Sequence, residues 1–144
     1  VNYCTPGTSF SGCQAMISST GTPSATAASG FNVTVSNYEG QKDGLFFFGQ
    51  NGQQANSWGN GTSFQCVTPP VKRAGLITGS GTNGLCNAMA TQDLNARWCA
   101  LCPKPNHQPI PGVPMQIQFW YRDPQNTSNQ KTSLSDAVEF GVGP

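Results

Sequence analysis

Breakers set the rhythm of this chain. Seventeen glycines and eleven prolines recur at intervals of about eight to twelve residues, and the runs between them alternate apolar and polar residues with a period of two. That rhythm belongs to antiparallel β proteins. In Phe31-Asn32-Val33-Thr34-Val35 the apolar residues share one face, as do Met115, Ile117, Phe119 and Tyr121 in the run from Met115 to Tyr121. One face goes inward and the other meets solvent. Leu45 to Phe48 is continuously apolar, a pattern that a sandwich buries on both sides where a loop covers the second face. Further strands are expected at Ala15–Ser18, Phe64–Thr68, Val71–Ile77, Thr91–Trp98 and Ala137–Val142. Thr91–Trp98 is long enough for two helical turns, but it also alternates and reads as a strand. Asn51–Asn60 and Gly79–Gly84 read as Gly/Asn loops, and Pro103–Pro114, with five prolines, as an extended surface segment that cannot pair as a central strand. About eight short strands fit one all-β domain over residues 1–144, a disulfide-stapled antiparallel β-sandwich of Ig-like or jelly-roll type.

A chain of 144 residues can bury roughly 70% of the surface its unfolded form exposes, enough for one core. Charged residues make up only 9%, against about 25% in ordinary domains, so Asn, Gln, Ser, Thr and backbone must wet the surface. Seven basic and six acidic residues give a net charge of +1. No basic patch is present to neutralise phosphates, which argues against nucleic acid as a partner. Sparse charge also removes the self-repulsion that keeps proteins apart, so self-association is permitted. No apolar run is long enough for a membrane span. A basic and apolar leader is absent, and export implies one removed before Val1.

Six cysteines in so short a chain point to an oxidising compartment. Cys4, Cys13, Cys66, Cys86, Cys99 and Cys102 allow fifteen pairings, and the spacing favours local ones: Cys4 with Cys13, Cys66 with Cys86, and Cys99 with Cys102. Trp98-Cys99-Ala100-Leu101-Cys102-Pro103 superficially has the spacing of a redox tetrad. That chemistry needs the first thiol at a helix N-terminus, and Pro103-Lys104-Pro105-Asn106 cannot start such a helix. With His107, Cys99 and Cys102 could fill three corners of a zinc tetrahedron, but the fourth ligand is missing.

No cofactor is expected. Asp123 to Asn129 is rich in the hard oxygens that calcium prefers, yet it has one carboxylate, and a polar hairpin loop explains it without an ion. No catalytic residue is identified. His107 is the only histidine and lies in the Pro-rich segment, no Gly-x-Ser-x-Gly elbow occurs, and the six carboxylates (Glu39, Asp43, Asp93, Asp123, Asp136, Glu139) are scattered singly, where glycoside hydrolysis needs two side by side. Trp58, within the amide-rich stretch Gln53–Asn60, has the makings of a sugar-stacking platform. Trp120 and Tyr121 are adjacent in a strand, so one of them faces outward as a second candidate contact. Asn32, Asn60 and Asn126 begin glycosylation sequons.

Tyr3-Cys4-Thr5, Gly12-Cys13, Gly44-Leu45-Phe46-Phe47-Phe48-Gly49, Cys66-Val67, Val71-Lys72-Arg73, Trp120-Tyr121-Arg122-Asp123-Pro124 and Leu134-Ser135-Asp136-Ala137 together resemble a β-rich domain that usually ends large exported bacterial proteins. The resemblance covers nearly the whole chain. It implies an exported, surface-associated module with no established activity, so no catalytic residue is carried over. A copy that stands alone would have to bind or build something. The sequence therefore leads to a secreted structural or adhesive subunit, a homo-oligomer or polymer such as a fibre, sheet or cell-surface layer. An extracellular glycan-binding module is the alternative.

Overall fold

The alternating runs resolve into strands whose apolar faces meet in one core. The computed structural model describes residues 1–58, 63–100, 108–126 and 130–144. Among them the elements run β1 (Asn2–Tyr3), β2 (Met16–Gly21), β3 (Phe31–Tyr38), β4 (Gly44–Gly49), β5 (Gln53–Trp58), β6 (Ser63–Val67), β7 (Lys72–Arg73), β8 (Ala88–Asp93), α1 (Leu94–Ala100), β9 (Met115–Arg122) and β10 (Thr132–Phe140). All the strand pairings are antiparallel. They form a five-stranded sheet in the order β1-β10-β9-β4-β7, a three-stranded sheet β2-β3-β8, and the hairpin β5-β6. The class is the all-β sandwich expected, with ten strands among the described residues rather than about eight.

The core lies between the two larger sheets. Ile17, Val33, Val35, Ala88 and Ala90 from one meet Phe46, Phe48, Ile117, Phe119, Tyr121 and Val138 from the other. Tyr38 bridges them, its ring 5.1 Å from Phe119 and 5.3 Å from Tyr121. Burying each such ring contributes about 2–3 kcal/mol. Gly44 is obligatory in β4, because a Cβ there would run into the Phe119 ring and the Trp120 carbonyl.

The other face of the five-stranded sheet is covered too. Phe47 and Leu134 pack there with Val67 of β6, with Leu45, Trp58, Val71 and Trp120 half-buried around them. The continuous run Leu45–Phe48 is thus buried on both sides, and the cover is the β5-β6 hairpin. The stretch Asn51–Asn60 is therefore not all loop. Its residues 53–58 are a strand that sequence pattern missed because every side chain but Ala55 and Trp58 is polar.

Two further expectations change. Val71–Ile77 contributes only the two residues of β7 and one bridge from Ile77 to Gly44. Thr91–Trp98 is strand only as far as Asp93, then turns into α1. Asp93 caps that helix, its carboxylate accepting from the Ala96 N–H at 3.1 Å, and this cap fixes where the strand ends.

The cysteines pair across the fold rather than locally. Cys4 joins Cys66, and Cys13 joins Cys86, over separations of 62 and 73 residues. Loop-closure entropy puts either bridge at roughly 4 kcal/mol, less for the second because the loops overlap. Cys99 is exposed and forms no disulfide among the described residues, and Cys102 lies outside them.

Candidate functional site

Strand register decides what the outer face of the five-stranded sheet presents. Leu45, Trp120 and Leu134 align in one row across β4, β9 and β10. One row along, Arg73 of β7 pairs with Phe47, and in the opposite direction Arg122 lies two residues beyond Trp120 on the same face. The Arg122 guanidinium stacks on Trp120, 5.5 Å from the ring centre. From above, Trp58 closes the row, its indole N–H donating to Thr132 Oγ1 at 2.9 Å. Leu45, Phe47, Trp58, Arg73, Trp120 and Leu134 surround a notch of about 70 Å³ that Val71 and Gln65 also line, and Arg122 lies outside that lining, against the Trp120 ring. A notch this small holds a few waters or one face of a ring, well short of an enclosing pocket.

The hairpin over this notch is held by buried amides. Gln118 is fully buried: its Oε1 accepts from the Cys66 N–H at 3.0 Å, and its Nε2 donates to the carbonyls of Phe64 and Ser135 at 2.8 and 2.6 Å. Gln116 accepts from the Gly52 N–H and donates to Glu139. Ser63 Oγ accepts from the Leu134 N–H at 3.1 Å. The inner edge of β6 is thereby clipped to the sheet. The outer edge of β5 is not, for among the described residues β5 pairs only with β6.

The other edges are blunted. β1 and β7 are two residues long, and β7 is Lys72-Arg73. On β2, the Ile17 N–H donates to Asp136 Oδ1 at 2.8 Å, and Asn2 Nδ2 donates to the Ile17 carbonyl at 2.6 Å. On β8, Ser80 Oγ bonds both the N–H and the carbonyl of Met89. These are the short strands, cations and covering groups by which sheets avoid edge pairing. β5 carries no charge and no proline, and four of its six side chains are exposed.

The residues expected to make contacts separate accordingly. Trp58 and Trp120 come together at the notch. Tyr121 leaves the contact set: it is fully buried in the sandwich core, and burial pushes its hydroxyl far above the usual tyrosine range. Of the adjacent pair, Trp120 is the outward one. Among the sequons, Asn126 is buried with its Nδ2 donating to Asp123 Oδ2 at 3.0 Å, Asn32 is half-buried within β3, and Asn60 lies outside the described residues. Cys99 sits in the last turn of α1 rather than at its start, and His107 lies outside the described residues. In the calcium segment, whose residues 127–129 also lie outside, Asp123 Oδ2 already accepts from the Phe10 N–H, Asn126 and Ser133. Sequence reasoning missed Arg73, Arg122, Gln116 and Gln118; position two residues from Trp120 was the available signal for Arg122 and Gln118.

Fold and site define a disulfide-bridged β-sandwich with an added hairpin, and among the described residues no helix is long and apolar enough to cross a membrane. No family model, no curated protein and no solved structure matches the chain.

Proposed function

We propose that the protein is an extracellular structural or adhesive subunit that associates with further copies of itself through the β5 edge. The observation that carries this is the contrast between edges: four are shortened, charged or covered, and one is left uncharged and without a partner among the described residues. An incoming strand would complete the β5 ladder with backbone hydrogen bonds. A second copy is the favoured occupant because the chain, at 9% charged residues, has little self-repulsion to overcome. Two interleaved disulfides suit an oxidising exterior, and the resemblance to exported bacterial modules supports the same placement.

The test is sedimentation velocity and negative-stain microscopy of the wild type beside Ala55→Lys/Ser57→Lys, which puts like charges on two exposed β5 positions. Wild type should associate with rising concentration, and the variant should need about ten times more protein, about 1.4 kcal/mol of weakened contact. A wild type that stays monomeric at its solubility limit ends this reading.

The notch supports a second reading, an extracellular carbohydrate-binding module. Two half-buried tryptophans, with an amide and guanidinium groups beside them, are the apolar platform and polar rim that sugar recognition uses.

A further inference from the structure

We infer that the Trp58–Trp120 notch selects an acidic sugar, a pyranose bearing a carboxylate, over a neutral one. The inference rests on the carbohydrate-binding reading and adds the charge of the ligand to it.

Charges of the two signs are placed differently in the fold. All six carboxylates are engaged inside the fold. Glu39 bonds Ser11 and lies 3.5 Å from Lys42; Asp43 accepts from the Gly79 N–H; Asp93 accepts from the N–H groups of Gly30 and Ala96. Asp123 is taken by Phe10, Asn126 and Ser133, Asp136 by Ile17 and Asn2, and Glu139 by Gln116. None of them lines the notch.

The guanidiniums there are treated differently. The one ion pair among the described residues is Lys42 with Glu39, so neither Arg73 nor Arg122 has a carboxylate partner among them. Both are exposed. They flank the Leu45–Trp120–Leu134 row on opposite sides: Arg73 lines the notch, and the stack on Trp120 holds Arg122 beside it. In a chain with so few charges, two uncompensated cations beside two half-buried indoles form a local positive field over a ring-sized apolar surface. A planar fork of N–H donors matches a carboxylate in two-bond geometry, which a hydroxyl cannot reproduce. The ring would rest on the indoles while its carboxylate meets a guanidinium.

The experiment titrates tryptophan fluorescence with trigalacturonic acid and with its methyl ester, which keeps the rings and removes the charge. Wild type should bind the acid saturably, at least tenfold more tightly than the ester, and more weakly as salt rises. Arg73→Gln/Arg122→Gln, with both changes at exposed positions, should keep the wild-type near-UV circular dichroism and lose that preference. Equal binding of acid and ester overturns the charge selection and leaves carbohydrate binding standing. Absence of saturable binding to either sinks both.

Discussion

Gln118→Leu should detach the β5-β6 hairpin while leaving the main sandwich folded. The substitution nearly conserves volume, so the effect comes from polar groups. It strands the Cys66 N–H and the carbonyls of Phe64 and Ser135, all now bonded to the Gln118 amide. Leaving a buried backbone group unpaired costs about 1–3 kcal/mol, so three give about 3–9 kcal/mol. The leucine recovers about 2 kcal/mol of apolar burial, and the Phe64 carbonyl, only partly buried, can regain water. With two groups left unpaired, the net loss is about 2 kcal/mol. For a domain of this size that lowers Tm by about 6–8 °C. Calorimetry with disulfides intact measures the shift, and fluorescence locates it, because a released hairpin exposes Trp58 and moves its emission to the red before global unfolding. Gln14→Leu, at an exposed position, is the control. A Gln118→Leu melt within about 2 °C of wild type would refute the claim that buried amides hold the hairpin.

Non-reducing peptide mapping should recover Cys4–Cys66 and Cys13–Cys86, and Cys13→Ser/Cys86→Ser, with Cys4–Cys66 intact, should lose about 3 kcal/mol in denaturant titration; recovery of Cys4–Cys13 would contradict the fold. Trp58→Phe should cost about 1 kcal/mol through loss of the bond to Thr132, and an unchanged Tm would mean that this indole is not anchored. For Asp93, burial raises the carboxyl pKa, but N–H donors including Gly30 and Ala96 outweigh burial and hold it below the ordinary value. A depressed folded pKa stabilises above the unfolded pKa and is lost as pH falls through the folded one. Asp93→Ala should therefore cost about 1 kcal/mol at pH 7, and the difference from wild type should shrink once pH drops below about 4; a difference constant with pH would remove the capping role.

Alternation in β3 and β9 was enough to name the sandwich and its inner face, because side chains on a strand must alternate whatever the tertiary context. It was not enough to name what lies on the other side. Gln116 and Gln118 sit at the polar positions of β9, where period two predicts solvent, yet they are 2% and 0% exposed. Pattern records which residues share a face, whereas burial of the polar face depends on a distant segment supplying hydrogen-bond partners. The hairpin that supplies them was hidden for the matching reason: Gln53 to Ser57 holds no apolar residue but Ala55, since its function in the fold is to lie over a sheet already fitted with amides. Leu94 and Trp98 show a second limit. Four residues apart, they share a face at either period, and only the Asp93 cap favours the helix. Cysteine spacing failed too, because loop entropy ranks closures by length and ignores which strands the sheets bring together.

The notch was half legible for the same physical reason. Trp58 and Trp120 stand out as large aromatics in polar surroundings, but Arg73 and Arg122 gain meaning only once β7 is seated beside β4 and the carboxylates are bonded elsewhere in the fold. The polar face of β9 then has two assignments, set by position along one strand: Gln116 and Gln118 hold the hairpin down, while Trp120 and Arg122, two and four residues further on from Gln118, remain accessible at its margin. The same hairpin that buries the first pair carries β5 as its own uncovered edge, so the notch and the association edge share one structural support. Loosening that support through Gln118 should weaken both together, whereas the arginine and β5 variants should each impair only one.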